Sequence, residues 1–350
     1  MNGLLEGAVA GLVAAVGLVA LAIVCIRTVV GRRRRRESRL RPQAESAIAS
    51  FLTDSGPVPA AVERGERATL LEVALEMLAD LLGGERARLA ALLEELGYVQ
   101  QAISALSTGR HGRSWRPARG SGVRRRAAEL LAAVSPVVAV PALTVGLDDP
   151  DTNVRTTCAR ALAGLGGDDV TAPVVAVAER DAIGAPGAAA EVVLALGRSR
   201  PQALAPLLGR QAPPEAKAVA VTVAGQLRLP EHAPLLRACL GERDELAAVA
   251  ASGLGMIGDV DSVAALTDLA GDSRRAPSAR AAATVALGSI GDSSALPMLD
   301  CLLHATDWSL RACAAAALSR LGNPGMAALR RAARSSRPDV AVQAEAALAQ

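Results

Sequence analysis

The sequence predicts an all-α fold in which pairs of helices stack side by side into an α-solenoid. The first observation is a repeated phrase of an Arg, a run of small residues, an Ala-Leu pair and a Gly turn. It occurs at Arg155–Leu162, Arg280–Leu287 and Arg311–Leu318. The second is composition, because 51% of the 350 residues are hydrophobic while only 1% are aromatic. Such a core must be built from Ala, Leu and Val on closely spaced helices, which suits a solenoid.

The phrase recurs with a period of about 31 residues, within the range of solenoid repeats. Its Leu position falls at Leu130, Leu162, Leu196, Gly225, Leu254, Leu287, Leu318 and Leu348. Gly225 is the weakest member, since its surroundings keep the pattern only loosely. The unit of Leu196 has Ala189 where the others place Arg.

Each unit is predicted to contain two helices. Residues 295–304 have the apolar spacing of one helical face, and the Ala-rich segment after Asp307 forms the second helix. Asp151 and Asp272 precede second helices in the same way, so each of the three Asp is predicted to cap its helix or to interact favourably with the positive N-terminal end. The stretch GLGMIG at 253–258 follows no strand, and we therefore predict helix C-caps there rather than a phosphate loop.

Three arginines and three leucines are predicted to be structural positions of the repeat: Arg155, Arg280, Arg311, Leu162, Leu287 and Leu318. The arginines are expected to bond carbonyls or carboxylates between adjacent units, including Asp residues of the turns. The leucines are expected to lie in the core.

These residues carry a resemblance to a known family. The pattern D-x-x-x-x-V-R-x-x-A-A-x-A-L-G-x-L-G-D resembles bacterial HEAT repeats of the short type first named from phycobilisome lyases. The matching residues are Asp151, Val154, Arg155, Ala159, Ala161, Leu162 and Gly166, and then Arg280, Ala283, Ala286, Leu287, Gly288, Ile290, Gly291 and Asp292. The resemblance covers roughly residues 120–350. It implies HEAT-like helix pairs in an ARM-like superhelix that binds another protein.

The N-terminal region predicts one transmembrane helix before the solenoid. Residues 7–26 are 20 uncharged residues, enough to cross a hydrocarbon core about 30 Å thick. A cleaved signal peptide would carry its basic residues first. Here the basic cluster follows, and the positive-inside rule gives it a membrane-orienting role: Arg32, Arg33, Arg34, Arg35 and Arg36. We expect a single-pass protein of the inner (plasma) membrane, with its N-terminus outside and its repeat domain cytoplasmic.

Two further roles for this region stay open. The arginines can recruit anionic lipid as well as set the orientation. Gly3, Gly7 and Gly11 form a small-xxx-small face through which two membrane helices can pack. The simpler interpretation is that Gly and Ala are common in such helices.

The chain is predicted to have four parts. Residues 1–31 form the transmembrane helix, and residues 32–66 form an Arg-rich juxtamembrane segment and linker. Residues 67–108 form a helical cap, because they lack the repeat phrase and terminal units must differ from internal ones. Residues 109–350 form the repeat solenoid.

Residues 109–126 carry seven arginines around His111 and Trp115. They fit a nucleic-acid site with Trp115 stacked on a base, a contact with the anionic membrane surface, or an Arg-rich repeat turn. We favour the turn and expect no nucleic-acid partner, because the later repeats mix Asp, Glu and Arg evenly.

No motif for catalysis or metal binding stands out. His111, His232 and His304 are far apart, in no metal-binding spacing. The odd number of Cys, five, with no C-x-x-C pair, favours a reducing compartment. Lys217 is the only Lys, which we interpret as codon bias. We expect no enzymatic activity, cofactor or metal.

The whole chain resembles membrane-anchored bacterial HEAT proteins, some of which accompany membrane glycosyltransferases. The resemblance implies a scaffold that binds a partner protein at the inner membrane face, with a glycosyltransferase or polysaccharide assembly system as a candidate partner. The alternative is an enzyme or enzyme subunit of the bilin-lyase or DNA-glycosylase-like HEAT type. It would need clustered acidic and aromatic residues on the concave face.

Overall fold

The computed structural model describes residues 40–53, 67–107, 120–134, 136–165 and 167–349. These residues form helices joined by short turns, and they divide into two compact units. The first unit contains the described residues of Met1–Ile103 and Glu129–Ser135. The second unit contains the described residues of Ser104–Ala128 and Pro136–Gln350.

The helices follow one another along the chain. They are α1 (40–53), α2 (Arg67–Asp80), α3 (Gly83–Glu95), α4 (Tyr98–Ser107), α5 (Ser121–Val134), α6 (Pro136–Gly146), α7 (Thr152–Leu165), α8 (Asp168–Gly184), α9 (Pro186–Ser199), α10 (Ala205–Leu208), α11 (Pro214–Gln226), α12 (Ala233–Cys239), α13 (Asp244–Ile257), α14 (Val263–Gly271), α15 (Pro277–Ile290), α16 (Leu296–Leu303), α17 (Trp308–Arg320), α18 (Gly322–Ala332) and α19 (Pro338–Leu348). Short 3₁₀ turns precede α10, α12, α14 and α16, at Pro201–Leu204, Pro230–His232, Val260–Ser262 and Ser293–Ala295.

In the first unit, polar contacts join helices that also bury leucine-rich faces. Arg41 on α1 bonds Glu45 at 2.8 Å and also contacts Glu76 on α2. The Arg88 guanidinium on α3 donates to the carbonyl of Leu52 on α1 at 3.3 Å. The assignment of residues 67–108 as a cap on the repeats stays a prediction.

The second unit contains a row of helix pairs, which confirms the predicted α-solenoid. In each pair a first helix (α6, α8, α10, α12, α14, α16 or α18) is followed by a second helix (α7, α9, α11, α13, α15, α17 or α19). Successive second helices pack closely against one another, whereas successive first helices contact each other far less. The second helices therefore form the more tightly packed layer of the row.

Glycines allow the second helices to approach to backbone contact. A Cβ atom built on Gly255 of α13 would lie 2.9 Å from the Cα of Ala286 on α15. One built on Gly288 of α15 would lie 2.5 Å from the Cα of Ala317 on α17. No side chain fits at either position, so the spacing of these helices is set by their backbones.

Gly225 of α11 belongs to the same series, since its built Cβ would lie 2.6 Å from the Cα of Gly253 on α13. This corrects the interpretation of GLGMIG as helix caps alone. Gly253 and Gly255 are packing glycines. Gly258, with a φ of 80°, is the left-handed residue that ends α13.

The register of α11 also differs from the predicted one. Exposed residues of α11 recur thirty residues later on α13, as Glu215 with Glu245, Thr222 with Ser252 and Gln226 with Met256. Ala224, and not Gly225, is therefore the equivalent of Leu254. The Gly at the following position then aligns with the packing glycines of the other helices.

Two of the three predicted Asp caps act as expected. Asp307 accepts the backbone N–H of Ser309 at 2.8 Å at the start of α17. Asp151 accepts the backbone N–H two residues later at 2.9 Å. Asp272 lies too far from the start of α15 and instead bonds the backbone and guanidinium of Arg274 in the turn. This contact with Arg274 lowers the pKa of Asp272 to about 2.

The predicted fold class is corrected in one respect, the membrane helix placed before the solenoid. Within the described ranges, no helix is long and apolar enough to cross a membrane. The longest of helices α2–α19, α8, has 17 residues and spans about 25 Å, less than a hydrocarbon core of about 30 Å. Residues 7–26, which carried the prediction, lie outside the described residues. The predicted localisation in the inner membrane depended on that helix and loses its support with it.

We expect Gly288→Ala to destabilise the second unit by about 1–3 kcal/mol, because the new methyl group must push α15 away from α17. The matched control is Gly164→Ala on α7, where a Cβ meets nothing within 4 Å. There Ala should be neutral or stabilising by up to about 1 kcal/mol, since Gly is the poorer helix former. Thermal unfolding followed by circular dichroism measures both variants. Equal melting temperatures for the two would contradict the backbone contact.

Candidate functional site

The six predicted repeat positions lie in two environments. Leu162, Leu287 and Leu318 are fully buried within the second unit. The three arginines lie near the starts of α7, α15 and α17, where each bonds main-chain or carboxylate oxygens. We propose that all six positions are structural, and describe the arginines in turn.

Arg155 connects two neighbouring units. Its Nε and Nη2 atoms bond the carboxylate of Asp181 on α8 at 3.1 and 2.7 Å. Its Nη1 atom donates to the carbonyls of Asp149 and Pro150 at 2.8 and 3.0 Å. One guanidinium therefore ties the turn before α7 to the first helix of the next unit.

Arg311 and Arg280 differ in how far they reach. Arg311 Nη1 donates to the carbonyls of Ala305 and Thr306 at 2.8 Å each, and lies 3.5 Å from the carboxylate of Asp339. Arg280 Nε donates to the carbonyl of Ala270 at 3.0 Å, within its own helix pair. Arg311 thus contacts the following unit, whereas this bond of Arg280 closes the turn before its own helix.

Two further ion pairs between a helix and a later turn were missed in the sequence. Arg124 bonds Asp149 at 2.6 and 2.9 Å, with side chains only 4% and 0% exposed. This bond raises the pKa of Arg124. Lys217, which we had attributed to codon bias, is buried and bonds Glu242 at 2.9 Å. In both pairs the acid lies 25 residues after the base, a spacing that could have revealed them.

The series of pairs changes at two helices. On α9, Ala189 stands where α7 has Arg155, and it is buried without polar atoms on its side chain. On α13, Ala247 is the equivalent residue, and the charges are reversed: Asp244 at the start of α13 contacts Arg275 in the turn before α15. This contact holds the pKa of Asp244 below its usual value. At α13 the neighbouring units are therefore still joined by an ion pair, but the acid lies on the second helix and the base in the next unit.

Several predicted residues lie outside the described residues: Arg32, Arg33, Arg34, Arg35, Arg36, Gly3, Gly7, Gly11, His111 and Trp115. Their predicted roles in membrane orientation, self-association and the Arg-rich turn are therefore not addressed by the structure.

The residues that could carry chemistry are dispersed. In the part of the chain that the structure describes, no group of three or more His, Cys, Asp and Glu is placed to hold a metal ion. His232 is buried and bonds the carbonyl of Pro201 at 2.7 Å, which ties two units together. Cys158 is buried, and burial raises its pKa to about 12, so it remains a protonated, apolar side chain.

A cleft of about 740 Å³ opens between α8 and the start of α10. It is lined by apolar residues such as Val175, Ala176 and Pro206, together with the polar residues Thr171, Glu179, Arg200 and Gln202. The walls carry no arrangement of nucleophile and base. The cleft is a shallow apolar groove in the first-helix layer.

The exposed side of the second helices forms a surface that we call the second-helix face. Its central part consists of Glu215, Ala218, Val219, Thr222 and Gln226 on α11; Glu245, Ala248, Val249, Ser252 and Met256 on α13; Ser278, Ala281, Ala282, Val285 and Ser289 on α15; and Ser309, Ala312, Cys313, Ala316 and Arg320 on α17. The spacing of three and four residues within each helix places these side chains on one side. Because the helices pack so closely, the four sides join into one surface.

A family model described as HEAT repeats matches residues 121–196, 201–277 and 274–349. The chain belongs to the HEAT-repeat family. No curated protein matches it. The second helix of each HEAT repeat belongs to the closely packed layer of second helices described above.

Among solved structures, the chain is similar to karyopherins. The karyopherin Kap121p bound to the extreme C-terminus of the protein phosphatase Cdc14p has a TM-score of 0.52 at 13% identity, over 87% of this chain and 39% of that chain. Kap121p bound to Ste12p has a TM-score of 0.52 at 14% identity, over 87% of this chain and 38% of that chain. The chain spans about two fifths of the length of these proteins, and at such identity the likeness shows the fold alone.

We expect Arg124→Met to destabilise the HEAT repeats by about 3–5 kcal/mol, since it leaves the buried carboxylate of Asp149 without its ion-pair partner. The matched change is Arg160→Met, which removes the pair with Glu191 at 2.9 Å, where the side chains are 53% and 57% exposed. An exposed pair of this kind contributes about 1 kcal/mol or less. Urea unfolding midpoints compare the two variants. Similar losses would show that the burial of Arg124 does not matter.

Proposed function

We propose that this HEAT-repeat protein is a scaffold that binds a partner protein on its second-helix face. The observation that carries the proposal is the continuity of that face across α11–α17 with small, uncharged side chains at its centre. The centre of the face, which lacks large polar groups, is inexpensive to desolvate, so a partner can bury it extensively. In the two Kap121p structures the solenoid is bound to another protein, which supports the use of such a solenoid for protein binding.

The residue types on the second-helix face favour binding over catalysis. An enzyme of the bilin-lyase or DNA-glycosylase-like type would need acidic and aromatic side chains close together on it. Across α11–α17 the acidic side chains of the face are Glu215 and Glu245, both at one edge. The aromatic residue of this region, Trp308, lies at the start of α17. No base, nucleophile and substrate pocket come together there.

A more specific candidate for the partner is a glycosyltransferase or another enzyme of polysaccharide assembly. It is supported by the resemblance of the sequence to bacterial HEAT proteins that accompany such enzymes. Affinity purification of the full chain from its source cells, with mass spectrometry of the copurified proteins, tests it. Recovery of such an enzyme in a constant ratio to the purified HEAT-repeat protein would support this candidate. Recovery of an unrelated protein instead would show that the candidate is wrong.

The scaffold proposal predicts a specific loss of the partner when a charge is placed on the face. Ala316→Arg on α17 puts an unpaired guanidinium at the centre of the surface and should reduce partner recovery at least tenfold. The matched control is Ala264→Arg, at an exposed position on the first helix α14, which should leave recovery unchanged. Both variants are first checked for wild-type melting temperatures. Equal recovery with Ala316→Arg would place the binding site elsewhere.

A further inference from the structure

The last of the first helices, α18, carries a cluster of exposed arginines near its C-terminal end. Arg330 and Arg331 lie in its last turn. Arg334 lies in the turn that follows, where its backbone N–H bonds the carbonyl of Arg331 at 3.1 Å. All three residues are exposed, and their spacing of three and four residues places them on one side of the helix. We call Arg330, Arg331 and Arg334 the α18 arginine cluster.

The cluster has little to neutralise it within the structure. Arg331 Nη2 lies 3.6 Å from the carboxylate of Asp300 on α16, in a contact whose side chains are 67% and 38% exposed. Among the described residues, the guanidinium groups of Arg330 and Arg334 take part in no ion pair or hydrogen bond. Two like charges four residues apart on a helix repel each other. The helix dipole favours a cation at this end, but it does not account for three of them.

The other acids near this end of α18 are held by different partners or lie further away. Asp339 at the start of α19 bonds Arg337 at 2.6 Å and lies 3.5 Å from Arg311 Nη1. Asp307 accepts backbone N–H groups at the start of α17. Glu345 lies seven residues beyond the start of α19, about 10 Å along that helix. The α18 arginine cluster therefore keeps most of its positive charge facing solvent.

The sign of the charge changes along the first-helix layer. Residues 259–272, around α14, contain four Asp and no Lys or Arg, and residues 292–307, around α16, contain three Asp and no Lys or Arg. Residues 320–337, around α18, contain five Arg and no Asp or Glu. A terminal repeat needs only a polar outer face, and mixed charges would supply it. A single sign of charge instead favours a partner of the opposite charge.

The acids of α14 and α16 limit the kind of anion that suits this site. Asp268 on α14 is exposed and, in the part of the chain that the structure describes, takes part in no ion pair. A nucleic acid or a membrane is an extended array of negative charges, so along the first-helix layer it would meet Asp300 and Asp268 and be repelled. A short acidic segment of a protein can stay within the α18 arginine cluster. Its carboxylates can accept paired hydrogen bonds from the guanidinium groups.

We infer, on the basis of the proposed function, that the α18 arginine cluster binds a short acidic segment of the partner protein. Arg330 and Arg334 supply unpaired donors. Arg331 joins them by exchanging Asp300 for a carboxylate of the segment, which costs little because the existing pair is exposed. The contact lies on the first-helix layer and is separate from the second-helix face. Since its charges are exposed, it adds specificity and speed of association more than affinity.

The inference is tested with a defined probe. The probe is an amidated 12-residue peptide in which Glu alternates with Gly and Ser, labelled with fluorescein at its N-terminus. Its twin has Gln in place of every Glu. Fluorescence anisotropy measures binding of both peptides to the full chain, at low and at physiological salt.

We expect saturable binding of the Glu peptide, weaker at higher salt, and none of the Gln peptide. The combined change Arg330→Gln, Arg331→Gln and Arg334→Gln should weaken binding of the Glu peptide at least tenfold, because it removes the charges that face the carboxylates. The variant is first checked for a wild-type melting temperature.

The matched control removes the same amount of charge from three other exposed positions. It combines Arg198→Gln, Arg210→Gln and Arg243→Gln, which are dispersed over the units before α14. Because these positions lie away from α18, the control should weaken binding of the Glu peptide less than twofold.

Three results would overturn the inference. The first is an absence of saturable binding by the Glu peptide at concentrations up to about 1 mM. The second is equal weakening by the cluster variant and the control variant, which would show a dependence on net charge alone. The third is tighter binding, lost in the cluster variant, of a single-stranded oligonucleotide, of a vesicle containing phosphatidylserine, or of a second copy of the chain in sedimentation. That result would assign the cluster to the tighter ligand.

These outcomes separate the inference from the scaffold proposal. If Ala316→Arg abolishes recovery of the cellular partner while the Glu peptide does not bind, the scaffold stands and the acidic segment is wrong. If Ala316→Arg leaves recovery unchanged while the Glu peptide binds through the α18 arginine cluster, the proposed use of the second-helix face fails and the acidic segment stands.

Discussion

The backbone contact between successive second helices is the constraint on which the second unit depends. At Gly255 and Gly288 the next helix lies so near that only a hydrogen atom fits in place of a side chain. Helices this close leave room for Ala, Ser, Val and Leu around the contact and exclude rings. The Ala-rich sequences of these second helices agree with this geometry.

A different interaction fastens the other end of each second helix. The glycine contacts lie towards the C-terminal ends, whereas Arg155 and Lys217 lie near the N-terminal ends of α7 and α11 and bond acids of the next unit. Asp181 and Lys217 are buried, so a shift that broke either pair would leave a buried charge without a partner, which favours one register of the helices. The glycines set the distance between helices, and the ion pairs set how far one helix slides along the next.

The features that sequence could predict are those that repeat within one unit. Leu287 and its equivalents, the Asp307 cap and the helix pairs depend on neighbours a few residues away. The functions of Gly255 and Lys217 depend on residues in the next unit, so they can be recognised only from spacings longer than one helix, such as the 25 residues between Lys217 and Glu242. Gly225 was assigned one position out of register because the Ala-Leu pair is absent from α11. Its packing against Gly253 identifies Gly225 as a residue of the backbone contact between α11 and α13.

The same small residues that permit the close contact also determine what the second-helix face can recognise. A surface of Ala, Ser and Val buries little area per residue, so affinity must come from many contacts spread along several helices or from a few large side chains. The large exposed side chains are few and spread over the helices, from Met256 at the end of α13 to Trp308 at the start of α17. Specificity would then arise from these few side chains, and the small residues between them would serve mainly to exclude water.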